Sequence, residues 1–305
     1  MKRTGILLFC IFLHQFAISQ TPPIVDQYVV NPVLINPAAT GLRGAISFAA
    51  LYRKQWVGIK GAPETLMFLA EAPFSGSKTG VGLQVISDKY GVTRENSIAS
   101  TYSYRIDINE GSISLGLKAG ILTSNTTWSE LTALDPGDDL LLIDSKTFLV
   151  PDFAFGAYYS SEKNYAGFSI PRLLQYEFNS EKNKYSIKIN PLRYDLLFQA
   201  GHVFEPAPNL KFQPSLLLLF TSGKRALFDV NMHLIFEEKV WAGVSYRSNN
   251  SLAGLFQFAL SNQLKAAYSY YYDFGKIGRF SQGSHEIMLR FDLLFKADVV
   301  NPLIF

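Results

Sequence analysis

Apolar and polar residues alternate along one segment after another of this chain, and this pattern constrains the fold more than any other feature. In segments 112–121 and 228–236, apolar residues occupy every second position and the residues between them are largely small or polar. Successive residues of a β-strand point to opposite faces, so each segment has one apolar and one polar face. A chain built from such segments is typical of a transmembrane β-barrel.

Composition narrows the choice further. Hydrophobic residues make up 48% of the chain and charged residues 17%, against about 25% charged residues in ordinary soluble domains. No later segment approaches the roughly 18 consecutive apolar residues of a membrane helix, which leaves a large buried β core or a lipid-facing barrel. The net charge of +3 is small and does not indicate a basic surface for nucleic acid, so we expect no nucleic-acid partner.

We expect an all-β fold, a transmembrane antiparallel β-barrel of about fourteen strands with a plug-like N-terminal segment. Single-chain outer-membrane barrels usually have an even number of strands. The expected strands cover residues 45–55, 64–73, 80–88, 96–107, 111–122, 152–160, 164–171, 193–204, 209–221, 225–237, 239–248, 251–260, 263–274 and 284–296.

The connections between these strands also support a membrane barrel. Outer-membrane barrels have short periplasmic turns and longer extracellular loops. If the first strand begins at the periplasm, every periplasmic connection is tight, whereas three outer connections are long, at 123–151, 171–192 and 275–283. Two other outer connections, near 222–224 and 248–250, are short, so the outer connections are longer as a group and not in every case. A soluble β-sandwich has no reason to segregate loop lengths in this way.

The N-terminus has the features of a secretory signal peptide. Lys2 and Arg3 precede a short apolar core at 6–12, and 17–20 offers a small-residue cleavage site. We therefore expect a signal peptide at 1–19, a plug-like segment at 20–44, and a barrel with a short periplasmic tail at 45–305, in the outer membrane of a Gram-negative bacterium. Cys10 is the chain's single cysteine, so the mature protein is expected to have no disulfide or cysteine metal site.

The stretch before the first strand differs from the rest. It carries two Asn-Pro steps, at Asn31-Pro32 and Asn36-Pro37. Proline disfavours helix at the residue before it and cannot donate to a β-ladder. The stretch is also too apolar to lie in water, so we expect it to pack against the barrel, within the lumen.

Motifs in this stretch and after it resemble the PorP/SprF family of type IX secretion system outer-membrane proteins. A second motif, of the form YRxQWxG, follows the paired Asn-Pro motif in the family's order, and segments 151–156 and 284–289 match as well. The two motifs comprise Gln27, Tyr28, Asn31, Pro32, Asn36, Pro37, Gly41, Tyr52, Arg53, Gln55, Trp56, Gly58 and Pro63.

The resemblance implies a role without catalysis, cofactor or metal. Members are integral outer-membrane barrels that work with a secretion and gliding machine. They help particular large cargo proteins with C-terminal sorting domains to be secreted or held at the surface. The expected partners are such a cargo protein, other type IX secretion components and outer-membrane lipids.

A partner would most plausibly engage the long outer loops, because a closed barrel leaves no free strand edge. The 123–151 loop is unusually apolar for an exposed loop. It could offer a partner surface or fold onto the barrel rim or into the lumen. The second long loop, 171–192, is charged and is expected to be a solvated hairpin. The candidate partner residues of the first loop are Trp128, Leu131, Leu134, Leu141, Leu142 and Ile143.

Two other functions remain as alternatives. His233 shares a strand face with Asp229 and Asn231, a set that a barrel lipid hydrolase could use with a serine, although polar lumen residues are expected in any barrel. A fourteen-stranded barrel with an N-terminal plug also suits a channel for hydrophobic solutes. The expected lumen face includes Ala253 and Leu255, which makes an open aqueous porin a poorer fit.

Overall fold

The computed structural model describes residues 25–74, 78–130, 145, 147–179 and 184–294, and it confirms the closed antiparallel barrel. The barrel wall has fourteen strands, because the segments Leu196–His202 and Phe204–Ala207 follow one course and both pair with Leu210–Phe220. The wall strands are β1 (Ala45–Lys54), β2 (Glu64–Phe74), β3 (Thr79–Tyr90), β4 (Thr93–Ile108), β5 (Gly111–Thr126), β6 (Phe148–Ser160), β7 (Asn164–Ile170), β10 (Leu196–His202), β11 (Phe204–Ala207), β12 (Leu210–Phe220), β13 (Leu227–Phe236), β14 (Val240–Arg247), β15 (Ser251–Ala259), β16 (Leu264–Asp273) and β17 (Ser284–Leu294).

The barrel closes where the first strand meets the last. β1 pairs with β17 along its whole length, from Ala45 opposite Leu294 to Lys54 opposite His285. Every other wall strand pairs with its neighbours in chain order, and β10 bridges from β7 to β12. Closure pairs the backbone groups of every wall strand on both sides, which a membrane-spanning sheet requires because the bilayer core contains no water to satisfy them.

The two faces of the wall separate as the alternation predicts. Large apolar side chains such as Leu117, Met232 and Phe256 lie exposed on the outer face. The inward face buries Arg105, Asp229, His233, Arg290 and Asp292. Ala253 and Leu255 also face inward and pack with Tyr271, as expected for a lumen lined partly by apolar residues.

Several strands extend further than the alternation indicates. β3 and β4 continue to a tight turn at Gly91 and Val92, and β5 continues to Thr126. The extensions carry polar residues on both faces. Above the membrane both faces of a strand meet water, so the apolar alternation by which a strand is recognised disappears there.

A small separate hairpin lies in the connection between β7 and β10. Its strands β8 (Gln175–Asn179) and β9 (Lys184–Lys188) pair only with each other. Short 3₁₀ helices complete the described secondary structure, at Asp26–Val29, Pro32–Leu34, Pro37–Ala39, Trp128–Glu130, Pro191–Arg193 and Ile277–Arg279. Within the described ranges, no helix is long and apolar enough to cross a membrane.

Candidate functional site

Residues 25–44, here called the N-terminal segment, form the candidate site together with the inner wall. Each Asn-Pro step begins a 3₁₀ turn with proline in its first position, where a missing N–H costs nothing and the fixed φ suits the turn. The Asn36 side chain caps the turn that follows by accepting a hydrogen bond from the Ala38 N–H at 2.9 Å. The motif therefore folds the segment compactly without using a ladder partner.

The segment runs from one end of the barrel to the other. Gly41 lies against Gly80 and Pro73, at the end where short turns join the strands. Asp26 lies near Arg247 and Glu286, at the end with the long loops. The segment contacts inward-facing residues on opposite sides of the wall, so it lies on the lumen side of the sheet.

Asn36 fixes the middle of the segment to the wall. Its side-chain amide donates to the backbone oxygens of Ala157 on β6, at 3.0 Å, and Phe168 on β7, at 3.1 Å. Two wall glycines permit this approach. A Cβ on Gly156 would lie 2.0 Å from Asn36 Oδ1, and a Cβ on Gly116 would lie 2.2 Å from the Ala38 nitrogen.

Gly41 anchors the segment at the short-turn end. Its φ of +72° lies in the left-handed region that favours glycine. Its N–H donates to Glu71 Oε2 at 2.7 Å, and Arg43 pairs with the same carboxylate at 3.4 Å. A Cβ on Gly41 would lie 2.8 Å from the Gly80 Cα, so the conformation and the close contact both require glycine here.

A buried ionic cluster holds the other end of the segment. Arg247 on β14 donates to Asp26 at 2.8 Å and makes two bonds to Asp229 Oδ2, at 2.7 and 3.0 Å. Asn231 donates to the Tyr28 hydroxyl at 2.7 Å, and Ser245 donates to Asp229. Buried charges are tolerated only when they are paired and hydrogen-bonded, so the position of Asp26 and the wall charges depend on one another.

Glu286 on β17 joins the two family motifs. Its carboxylate accepts the backbone N–H groups of Asp26, at 3.2 Å, and Gln27, at 2.9 Å. The Arg53 Nε lies 3.6 Å from the same carboxylate, and both side chains are buried. Arg53 of YRxQWxG and Gln27 of the N-terminal motif therefore meet on one acidic group.

The rest of the YRxQWxG motif orders the loop after β1. Trp56 adopts a positive φ of 43° and donates its N–H to Ser284 Oγ at 3.1 Å. Val57 exchanges backbone hydrogen bonds of 2.8 Å with Gly283 and Gln282. This loop is therefore fixed to the loop before β17.

The remaining motif residues occupy separate places. Asn31 and Pro32 are buried within the segment, and Tyr52 points outward from β1. The Gln55 N–H donates to the Pro63 oxygen at 2.9 Å and closes the base of the loop. Gly58 has a φ of +97°.

The candidate partner loop is described only in part. Trp128 lies in a 3₁₀ turn at the long-loop end and is 38% exposed. Leu131, Leu134, Leu141, Leu142 and Ile143 lie outside the described residues, so their role as a partner surface stays a prediction.

The polar residues that a hydrolase could use do not form a catalytic arrangement. Asp229 pairs with Arg247, and Asn231 donates to Tyr28 and to Asp229. His233 is buried, and neither ring nitrogen has a hydrogen-bond partner among the residues that the structure describes. Ser245 donates directly to Asp229, and in the described part of the chain His233 connects neither of them to the other. No group of three potential metal-ligating side chains occurs in the described ranges either.

Sequence reasoning placed Asp229, Asn231 and Glu286 on strands but missed Arg247. Arg247 ends a strand in which small and apolar residues dominate, and its partner Asp26 lies 221 positions away in sequence. One signal in the sequence could have identified Arg247. It lies two positions after Ser245 on the same strand, so both side chains point to the inward face of the wall.

Solved structures with a similar fold are membrane barrels. A monoaromatic hydrocarbon channel, CymD, matches with a TM-score of 0.52 and 12% identity, over 88% of this chain and 92% of the channel. The outer-membrane protein Omp33 of Acinetobacter baumannii matches with a TM-score of 0.48 and 7% identity, over 82% of this chain and all of Omp33. No curated protein shows significant sequence similarity.

The closed fourteen-stranded wall, with apolar residues outside and buried polar residues inside, defines this chain as an outer-membrane β-barrel protein like the porins. Residues 17–291 match the family model described as type IX secretion system membrane protein PorP/SprF. The chain therefore belongs to the PorP/SprF family.

Proposed function

We propose that this barrel assists the secretion or surface anchoring of specific large cargo proteins that carry C-terminal sorting domains, and that it does so without catalysis. The match to the PorP/SprF family over residues 17–291 carries this proposal. The expected partners are the cargo and other components of the type IX secretion system.

The proposal fixes an orientation. Short turns face the periplasm and longer loops face outward in outer-membrane barrels, so the loops after β1, β5, β7 and β16 lie at the cell surface. Residues 1–19 are removed as a signal peptide, 20–44 act as a plug-like segment, and 45–305 form the barrel with a periplasmic tail. The cargo then meets the outer loops, of which 127–147 and 171–195 have the most residues.

The anchoring of the N-terminal segment supports a lumen that does not conduct cargo. Its two ends and its middle are each held by buried groups: Glu71, the Asn36 amide, and the Arg247–Asp26 pair. A cavity of about 100 Å³ beside the segment is lined in part by Ile35, Lys118 and Leu197. That volume has room for only a few water molecules and is far too small for a polypeptide.

Transport of a hydrophobic solute is the competing function. The similar channel CymD conducts monoaromatic hydrocarbons, as its name states, but likeness at this identity extends to the fold alone. A transporter plug has to move and to contact its ligand. The buried charges that hold the present segment favour a fixed position.

A deletion strain tests the proposal. We expect loss of the barrel to deplete a small set of large proteins with C-terminal sorting domains from the surface and medium, as measured by mass spectrometry. Restoring the wild-type chain should restore that set. An unchanged secreted proteome, together with lost uptake of a hydrophobic solute, would contradict the proposal and favour transport.

A further inference from the structure

Four neighbouring outer loops contain no acidic residue; three of them carry basic residues, and the fourth, 248–250, is uncharged. They lie side by side around the rim, because β2, β1, β17, β16, β15, β14, β13 and β12 are consecutive in the wall. Their basic residues, here called the basic arc, are Lys60, Lys224, Arg225, Lys276 and Arg279. The four loops are 55–63, 221–226, 248–250 and 274–283.

The two longest outer loops, 127–147 and 171–195, differ from these four because they carry acidic residues as well as basic ones. The 127–147 segment, which connects β5 to β6, contains five acidic residues and one lysine. At the opposite end, lysines of the short turns have acidic partners: Lys78 lies 3.9 Å from Asp107, and Lys163 lies 4.0 Å from Glu205. The basic arc therefore does not reflect a general excess of cations on the surface.

The aromatic residues below the basic arc indicate how far the arc lies from the membrane interface. Outward-facing aromatic side chains sit at the outer interface of membrane barrels. Such residues lie near the outer ends of the strands that carry these loops, and all are exposed; they are Tyr52, Phe220, Phe228, Tyr246, Tyr270 and Tyr272. The loops 221–226 and 248–250 are short, and the loops 55–63 and 274–283 are held to each other by backbone hydrogen bonds, so the basic side chains stay close above this interface, at the level of lipid headgroups.

The arc is also held in place. The backbone bonds between Val57, Gln282 and Gly283 join the loop of Lys60 to the loop of Arg279. Lys60, Arg225, Lys276 and Arg279 are themselves exposed. Arginine and lysine bind phosphate strongly, arginine with two parallel hydrogen bonds and lysine as a point charge.

We propose that the basic arc binds the phosphorylated headgroups of glycolipid in the outer leaflet. This inference goes beyond the secretion role and does not depend on it, because it needs only the outer-membrane orientation.

The test compares two variants with the same change of charge. Lys60→Gln/Lys276→Gln/Arg279→Gln removes three arc charges. Lys78→Gln/Lys163→Gln/Lys239→Gln removes three exposed lysines at the short-turn end. Each full-length barrel in detergent is titrated with phosphorylated lipid A and with dephosphorylated lipid A, and bound lipid is counted by native mass spectrometry.

We expect the wild-type and short-turn variants to bind the phosphorylated lipid at least about fivefold better than the dephosphorylated one, about the effect of a single surface charge near an anionic membrane. The arc variant should lose that preference. Equal binding of both lipids by the wild type, or an unchanged preference in the arc variant, would overturn the proposal. So would an arc variant that keeps its lipid preference but loses an acidic protein partner. If the triple variant fails to fold, Lys60→Gln alone applies the same comparison.

Discussion

Arg247 and Asp26 face each other at 2.8 Å although 221 residues separate them in sequence. The guanidinium lies on the wall strand β14, and the carboxylate lies on the N-terminal segment. Arg247 also binds Asp229 on the neighbouring strand. This one pair therefore connects the wall to the segment at the end of the barrel that carries the long loops.

Replacing Asp26 with Asn should loosen this connection. Removing one member of a buried pair leaves uncompensated charge, but Arg247 keeps Asp229, so we expect a loss of about 1–3 kcal/mol. Urea unfolding in detergent, followed by heat-modifiable gel mobility, measures it. Asp107→Asn is the matched control, since the Lys78–Asp107 pair is exposed and such pairs contribute little. Equal stability of the two variants would contradict a structural role for the pair.

Adding a single methyl group inside the wall should displace the segment. Gly116→Ala places a Cβ 2.2 Å from the Ala38 nitrogen, whereas Gly254→Ala meets no atom within 4 Å. Arg43 is buried in its ion pair with Glu71. We therefore expect trypsin to cleave after Arg43 in the Gly116 variant and to spare this bond in the Gly254 variant. Protection in both variants would show that the segment does not lie against Gly116.

The direction of the segment predicts which terminus reaches the cell surface. Asp26 lies at the long-loop end, whereas β17 ends at Leu294 at the short-turn end. An epitope placed directly after the signal peptide should bind antibody on intact cells, and an epitope at the C-terminus should bind only after permeabilisation. The reverse result would invert the orientation of the barrel.

The long apolar loop should matter for cargo and not for folding. Replacing residues 131–144 with a glycine-serine linker of equal length should leave heat-modifiable mobility unchanged and reduce the amount of secreted cargo. A replacement of 180–183, between β8 and β9, is the control and should secrete normally. Normal secretion by the first variant would remove the loop from the proposed partner surface.

Alternation was sufficient to predict the wall because the membrane imposes it. Each of the fourteen expected strands has a counterpart, from Ala45–Lys54 to Ser284–Leu294. The strand ends above the membrane were missed where both faces are wet, as at Thr93–Glu95 and Thr123–Thr126. The β8–β9 hairpin lies outside the wall, within the loop at 171–192 that was expected to be a solvated hairpin.

The site was less predictable than the wall. The Asn-Pro steps indicated a segment that is neither strand nor helix and that packs against the barrel. Its partners could not be found from sequence, because Glu71, Arg247 and Glu286 lie 30 to 260 residues from the groups they bind. Nothing local in their strands distinguishes them from other inward polar residues.

The most direct test is affinity purification of the tagged barrel from detergent-solubilised outer membranes, with the bound proteins identified by mass spectrometry. The account predicts recovery of a large secreted protein with a C-terminal sorting domain, or of other secretion components, and a weaker yield with the 131–144 replacement. Recovery of the barrel alone with a bound hydrophobic solute would contradict it and would favour a transport function.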